Sequence, residues 1–540
     1  METPPAATIP HALRRAASLW PGQEALVIEG ERMTYAELLA RTERVAANLY
    51  RLGLRPGDHF AICAGNRADW VVAAYAAVWI GAVVVPVNTR FKAPELLYCL
   101  RQSDARMLLV EDRFLSIDFI AMLRSIAPAV DTRLPDPKLP ALQTVLVLGN
   151  DVPAGAVSAA ELERTPIEPA PASAAPRPRD AALMQYTSGT TSYPKGAMLC
   201  HESMVFDAWY AGRRLGLRAG DRYFSGRPLF HVSGTTLSML ASLMAGACYL
   251  TTASFDVARV LRIMESERCT MTSANDTMFQ MLMNHPDFRP ERLSLRGGLA
   301  ACSPEIFRQV VETLGMRDLC AGYGLSEASP NVALSPYDDD MEKRVAGYAF
   351  PLPGLEVKIF DPESDAPRPP GIPGEIRVRG WALMLGYYNM PEATAKTIDQ
   401  EGWLHTGDLG VADEAGRICF VDRIKDMFRV GGENVAPADV ENVLNGHPAV
   451  RHSQVVGVPD KRLGEVAAAY VIRREGATVD EAALIAWCKE RCAGFKVPRY
   501  VRFVDSFDAI GMTGSAKIQR NKLREYAVAD LGLASGSTTE

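Results

Sequence analysis

The chain has 540 residues, 48% hydrophobic and 23% charged, and its 58 basic and 64 acidic residues leave a formal net charge of −6. This composition excludes a disordered, collagen-like or coiled-coil chain, and at roughly 150 residues per domain it fits about two to four domains. An acidic balance without clustered Lys and Arg offers no footprint for nucleic acid.

The opening METPPAATIP lacks a basic stretch followed by an apolar core, so no secretory signal is expected. Thr34-Tyr-Ala-Glu37 spells a capping box. The helix it starts carries Leu38, Val45, Leu49 and Leu52 on one face and stops at Gly53. Residues 70–89 are uncharged and almost long enough to cross a bilayer. Gly81 and Pro86 divide them into a buried helix and a short strand, so no transmembrane span is expected. The strand-like runs MLLVED, TVLVLG and ACYLTT alternate with helical patterns, which predicts α/β layers.

Residues 151–180 are proline-rich and read as a surface connection. The acidic run Asp338-Asp-Asp-Met-Glu342 reads as a solvated loop. After residue 350, LEVKIF, GEIRVRG and RICFVDR predict a small β-rich unit. Beyond Lys425 a compact α+β pattern follows, with a helix over 438–445 closed by Gly446 and Pro448. The ten cysteines are scattered, with no CxxC. They read as reduced thiols of a cytoplasmic protein rather than metal ligands, even Cys488 and Cys492, one helical turn apart.

Five segments carry chemistry. Tyr186-Thr-Ser-Gly-Thr-Thr-Ser-Tyr-Pro-Lys-Gly196 packs glycine, hydroxyls and a lysine into a loop suited to phosphate. Its spacing is not that of a Walker A loop, and the alternative is a polar turn between strand and helix. Gly322-Tyr-Gly-Leu-Ser-Glu327 offers a flat aromatic for a base and a carboxylate for Mg²⁺. Leu404-His-Thr-Gly-Asp408 offers a carboxylate for ribose hydroxyls, or else a simple Asx turn. Asp422-Arg-Ile-Lys-Asp-Met with Gly431-Gly-Glu-Asn434 suits a hinge between domains. Thr513-Gly-Ser-Ala-Lys-Ile-Gln-Arg520 sets Lys517 on a small-residue loop before a helix, where it can enter a site or stay solvated.

Taken in order, TSGTTSYPKG, PLFHVSG, GYGLSE, GEIRVRG, HTGD, RIKDM…GGENVAP and AKIQRNKLRE closely resemble the AMP-forming adenylating enzymes, from about residue 10 to 526. That superfamily holds acyl-CoA synthetases, peptide-synthetase adenylation domains and luciferases, and the flavour here is similar to fatty-acyl or aryl-acid CoA ligases. The resemblance implies an α/β fold. Its large N-terminal domain (1–424) would hold two α/β subdomains and a small β-barrel, with a mobile α+β lid (425–540) behind it. It implies two steps: attack of a carboxylate on the α-phosphate of ATP, then displacement of AMP by the thiol of coenzyme A. It also allows a homodimer.

The same resemblance assigns roles to matching positions. Thr187, Ser188, Gly189, Thr190, Thr191 and Lys195 would line the terminal phosphates. Tyr323 would stack on adenine, beside Ala301, Ala321 and Gly322. Glu327 would hold Mg²⁺, with Thr187, and Ser326 would meet the α-phosphate. Asp408 would bind ribose, with Arg423 nearby. Lys425 would be the hinge, Lys517 the lysine bridging carboxylate and α-phosphate, and Gly431 and Gly432 the wall of the coenzyme A channel. Trp209, His231, Val232, Ala300 and Gly324 would build the acyl pocket, with His231 at its mouth or else packed as a core histidine. Small apolar residues at 298–301 point to a hydrophobic acid.

Ser192 and Ala516 stand where the family usually has glycine, and the Pro and Arg usual ahead of the lysine are absent. Two alternatives follow: transfer of the acyl group to a carrier protein, and a nucleotide-binding homologue with impaired catalysis.

Overall fold

The computed structural model describes residues 3–165, 168–187, 194–431, 433–511 and 518–533. Ser188, Gly189, Thr190, Thr191, Ser192, Gly432, Ala516 and Lys517 lie outside the described residues.

Local signals fix the early elements. The Thr34 hydroxyl accepts from Glu37 N at 3.2 Å and the Glu37 carboxylate accepts from Thr34 N at 2.8 Å, opening the helix Tyr35–Arg51. Leu38, Val45 and Leu49 are buried on its inner face, and Gly53 leaves the helix at φ +103°. Residues 70–89 supply most of the buried helix Ala68–Trp79 and the buried strand Val83–Pro86, as their composition predicts. No helix among the described residues is long and apolar enough to cross a membrane.

Two large sheets organise the N-terminal part. The first has eight strands, with Val83–Pro86, His59–Cys63, Ala105–Glu111 and Thr144–Leu148 running parallel. On its other side the strand Ala181–Thr187 pairs antiparallel with Lys195–Cys200, Thr187 facing Lys195. The phosphate-type segment is therefore the tip of a β-hairpin and not a strand-to-helix turn. Pairing along the two strands, from Ala181 opposite Cys200 to Thr187 opposite Lys195, sets the hairpin register, so the loop sequence need not.

The second sheet has ten strands, and its central members Arg222–Phe224, Cys248–Thr251, Gly297–Ala301 and Asp318–Gly324 are parallel. Their carboxyl ends are where an open α/β sheet gathers its ligand-binding residues. The small β-rich unit is a four-stranded antiparallel sheet of Glu356–Phe360, Gly374–Arg379, Leu404–Ala412 and Ile418–Arg423.

The C-terminal part has a core of its own, in which Val455, Val471, Leu484 and Leu523 are buried together. It meets the N-terminal part across a polar cleft lined by Asp276, Gln280, Glu305, Arg451, His452 and Arg474.

Two loop expectations are refined. Asp340 caps the short helix Met341–Val345, while Asp339 pairs with Arg417 at 3.0 Å. The acidic run is thus a helix start and a tether. Within 151–180, Asn48 Nδ2 donates to Leu162 O at 3.0 Å and to Arg164 O at 2.7 Å, so the connection is pinned.

Candidate active site

Tyr323 ends the strand Asp318–Gly324 and is 7% exposed. Its hydroxyl donates to Asp408 Oδ2 at 2.8 Å. Burial, reinforced by Asp408, holds this phenol well above its usual pKa, so it stays a donor. Its ring lies nearly parallel to Phe420, 5.8 Å between centroids. Phe420 is 42% exposed, so an aromatic face is available beside Tyr323.

Asp408 reaches Tyr323 because its strand is irregular. The pairing of Gly374–Arg379 with Leu404–Ala412 shifts between Glu375 and Arg377, and Gly407 takes φ +67°. Thr406 Oγ1 donates to Ile376 O at 2.5 Å and accepts from Asp408 N at 3.1 Å. Bulged strands re-aim side chains in this way. Asp408 therefore sits on a bulge rather than in the Asx turn considered above. Arg423, directly across the strand pair, places Nε 3.1 Å from Asp408 Oδ1.

A second cluster follows four residues later. Glu327, in the turn Ser326–Ala328, accepts from the Tyr387 hydroxyl at 2.9 Å through Oε1. Its Oε2 accepts no hydrogen bond among the described residues. Lys195 Nζ lies 4.9 Å from the centre of the Tyr387 ring. Strand pairing brings this about: Gly386–Tyr387 pairs with Lys195–Cys200, and Met384 N donates to Glu327 O at 2.8 Å. Glu327, Lys195 and the hairpin base at Thr187 thus share one edge. The oxygen donors here suit a hard divalent cation. Gly324 separates the clusters, and a Cβ there would come within 1.9 Å of Pro330 O.

His231 caps the turn Val232–Gly234. Ser233 N donates to His231 Nδ1 at 3.2 Å, so the neutral ring carries its proton on Nε2. The next residues, Thr235–Leu240, form a π-helix, a form that often marks functional sites. An apolar cavity of about 340 Å³ lies against it, lined by Trp70, Tyr75, Leu183, Thr235, Met239 and Leu240. Val232 and Ala300 are buried and Trp209 half-buried. Ala300 pairs with Ala321, which ties the 297–301 strand to the strand carrying Tyr323. Ala301 is exposed at the end of that strand.

Lys425 is exposed in the turn Ile424–Asp426, and Gly431 is exposed at φ +59° in the next hairpin. Tyr387 and Phe420 carry no signal in the sequence, since each is an ordinary aromatic until strand pairing shows its neighbours. Among the described residues, no group of His, Cys, Asp and Glu is arranged to hold a metal on its own. The described cysteines are free thiols.

The model of the AMP-binding enzyme family matches residues 13–388, and that of the AMP-binding enzyme C-terminal domain matches 439–517. The chain is 38% identical to the putative acyl-CoA synthetase YngI of Bacillus subtilis over 98% of both chains. It is 39% identical to the 3-[(3aS,4S,7aS)-7a-methyl-1,5-dioxo-octahydro-1H-inden-4-yl]propanoyl:CoA ligase of Rhodococcus jostii, over 96% of this chain and 98% of that one. Its fold is similar to the crystal structure of the anthranilate CoA ligase AuaEII in complex with anthranoyl-AMP. That match has a TM-score of 0.87 at 27% identity, covering 97% of this chain and 98% of the other.

Proposed function

The chain belongs to the AMP-binding enzyme family, and on that premise we propose that it joins a hydrophobic carboxylic acid, fatty, aryl or alicyclic, to coenzyme A at the expense of ATP. The assignment rests on one juxtaposition: Tyr323 with Asp408 and Arg423 on one side of Gly324, and Glu327 with Tyr387 and Lys195 on the other. The first set suits a nucleoside and the second a polyphosphate.

In the first step a carboxylate oxygen attacks the α-phosphorus and expels pyrophosphate, leaving an acyl-adenylate. In the second the coenzyme A thiol, losing its proton, attacks the acyl carbon and expels AMP. Two anions must meet in the first step, so positive charge has to lie between them. Lys195 serves the leaving phosphates from the hairpin base, and Lys517 serves the carboxylate and α-phosphate. Asp408 and Arg423 fix the ribose, and Tyr323 and Phe420 fix the base, so the phosphorus is aligned before attack.

Glu327, with Thr187, would hold Mg²⁺, whose chemistry is to neutralise phosphate charge. His231, capped by Ser233, borders the acyl group together with Trp209, Val232, Ala300 and Gly324. The division into 1–424 and 425–540, rotation about Lys425, a channel at Gly431 and Gly432, a homodimer and a cytoplasmic location complete the proposal.

The test is pyrophosphate release with ATP and Mg²⁺ across aliphatic, benzoic, cinnamic and alicyclic acids, with and without coenzyme A. Multiple turnover only with coenzyme A supports the ligase. Turnover only with a phosphopantetheinyl carrier protein replaces coenzyme A as the acceptor. ATP binding with no turnover of any acid overturns catalysis.

A further inference from the structure

A group of hydroxyls is buried beside the acyl-side segments. Tyr223 Oη lies 2.5 Å from Ser273 Oγ, which accepts from Leu299 N at 2.9 Å. Ser238, on the π-helix, donates to Ser233 O at 2.8 Å and lies 3.0 Å from Ser225 Oγ. These residues connect the segment after His231 to the strand that carries Ala300.

Arg227 stands among them, on the loop between Arg222–Phe224 and His231. Its carbonyl accepts from Asn66 Nδ2 at 3.1 Å, which fixes the main chain. Its guanidinium is not so provided for. Nε and Nη2 are buried and have no hydrogen-bond partner among the described residues. No carboxylate among those residues pairs with it, in contrast to Arg222, which bonds Glu24 at 2.6 Å. Burial lowers its pKa, and only the Tyr223 phenol opposes that.

Arginine stays protonated in proteins, and a buried charged donor without an acceptor is costly. Nothing in the fold needs this charge, because the surrounding hydroxyls satisfy one another. The missing acceptor is best supplied by a ligand. The neighbouring segments are those of the acyl pocket, and adjoining surfaces such as the cavity beside the π-helix are apolar.

We propose that Arg227 recognises a second oxygen acceptor on the acid, a keto or carboxylate oxygen remote from the carboxyl group that is activated. This rests on the acid–CoA ligase function. The carbon skeleton packs against the apolar wall, and the remote oxygen accepts from Nε and Nη2. A purely hydrocarbon acid of the same size leaves that donor pair unmet. Sites built around a polar contact discriminate strongly against substrates lacking it.

The experiment uses the full chain and three acids on one skeleton: unsubstituted, with a remote ketone, and with a remote carboxylate. CoA-dependent pyrophosphate release is measured for wild type, Arg227→Met and Arg227→Lys. Wild type is expected to favour at least one oxygenated acid by about tenfold or more in kcat/KM. Arg227→Met brings that ratio close to one, mainly through KM, and Arg227→Lys restores part of it for the carboxylate. The folded state of Arg227→Met is checked by thermal unfolding, and the wild-type ratio is itself a test that needs no variant. Equal or better turnover of the unsubstituted acid by wild type overturns the role of Arg227 alone. An oxygen preference that survives Arg227→Met does the same. No turnover of any acid overturns the ligase function and this role with it.

Discussion

Arg520 Nη1 and Asp422 Oδ1 form a 2.7 Å ion pair that ties the first turn of the helix Arg520–Asp530 to the strand Ile418–Arg423. The same guanidinium reaches Glu441 at 2.8 Å, and Asp422 Oδ2 accepts from Ala438 N at 3.0 Å. Asp422 precedes Lys425, whereas Glu441 and Arg520 follow it. Removing one member leaves buried charge uncompensated, a cost of about 3–5 kcal/mol. Arg520→Met is therefore expected to lower the unfolding temperature of the C-terminal part. It is also expected to change the ratio of adenylation to thioester formation by about tenfold. Differential scanning calorimetry and separate assays of the two half-reactions check this, and an unchanged ratio removes the pair from any role in domain placement.

Asp408 binds ribose in the proposed enzyme, so Asp408→Asn should raise the KM for ATP more than it lowers kcat. A hydrogen bond to a charged group contributes about 1.5–3 kcal/mol, which is roughly ten- to a hundredfold. Tyr323→Phe, which removes only the donor to Asp408, should have a smaller effect. Steady-state kinetics with ATP varied would show whether the order is reversed.

Glu327→Gln should raise the Mg²⁺ concentration at half-maximal rate by about tenfold, since a neutral amide is a weaker ligand for a hard cation. Tyr387→Phe keeps the carboxylate and loses only its 2.9 Å partner, so its effect should be several times smaller. A Mg²⁺ titration at fixed ATP distinguishes them, and identical curves for wild type and Glu327→Gln would place the metal elsewhere.

Lys517→Ala should slow pyrophosphate release by roughly a hundred- to a thousandfold, the usual effect of deleting one charge-stabilising donor. ATP binding and thioester formation from a preformed acyl-adenylate should persist. Loss of both half-reactions would mean that the lysine is structural.

His201 is fully buried, and burial lowers its pKa from 6.5 to about 4. Its Nδ1 accepts from Ile9 N at 3.3 Å, a bond that requires the neutral form. The unfolded chain binds the extra proton between these pKa values. The stabilisation is therefore complete above pH 6.5 and is lost as the pH falls toward 4, by an amount on the order of 3 kcal/mol. His201→Gln should flatten unfolding temperature against pH across that window. An equally steep profile in the variant would assign the acid loss to other groups.

The fold was legible where a local rule matched the tertiary demand. Thr34 and Glu37 close the same ring of hydrogen bonds in any context, and residues 70–89 break at Gly81 because it takes φ +75°. The nucleotide residues were legible only through the resemblance of whole motifs, because Tyr323 and Asp408 are 85 residues apart and meet through a strand bulge. Tyr387, Phe420 and Arg227 were not legible at all. Each draws its meaning from partners supplied, or withheld, by other strands.

The π-helix Thr235–Leu240 makes length a variable at the acyl side. It holds more residues per turn than an α-helix, so deleting one residue would restore ordinary winding and rotate every later side chain by about 100°. Ser238 would leave Ser225, and Met239 would swing off the cavity wall. A single-codon deletion, rather than a series of substitutions, is thus the shortest evolutionary route to a differently shaped acid.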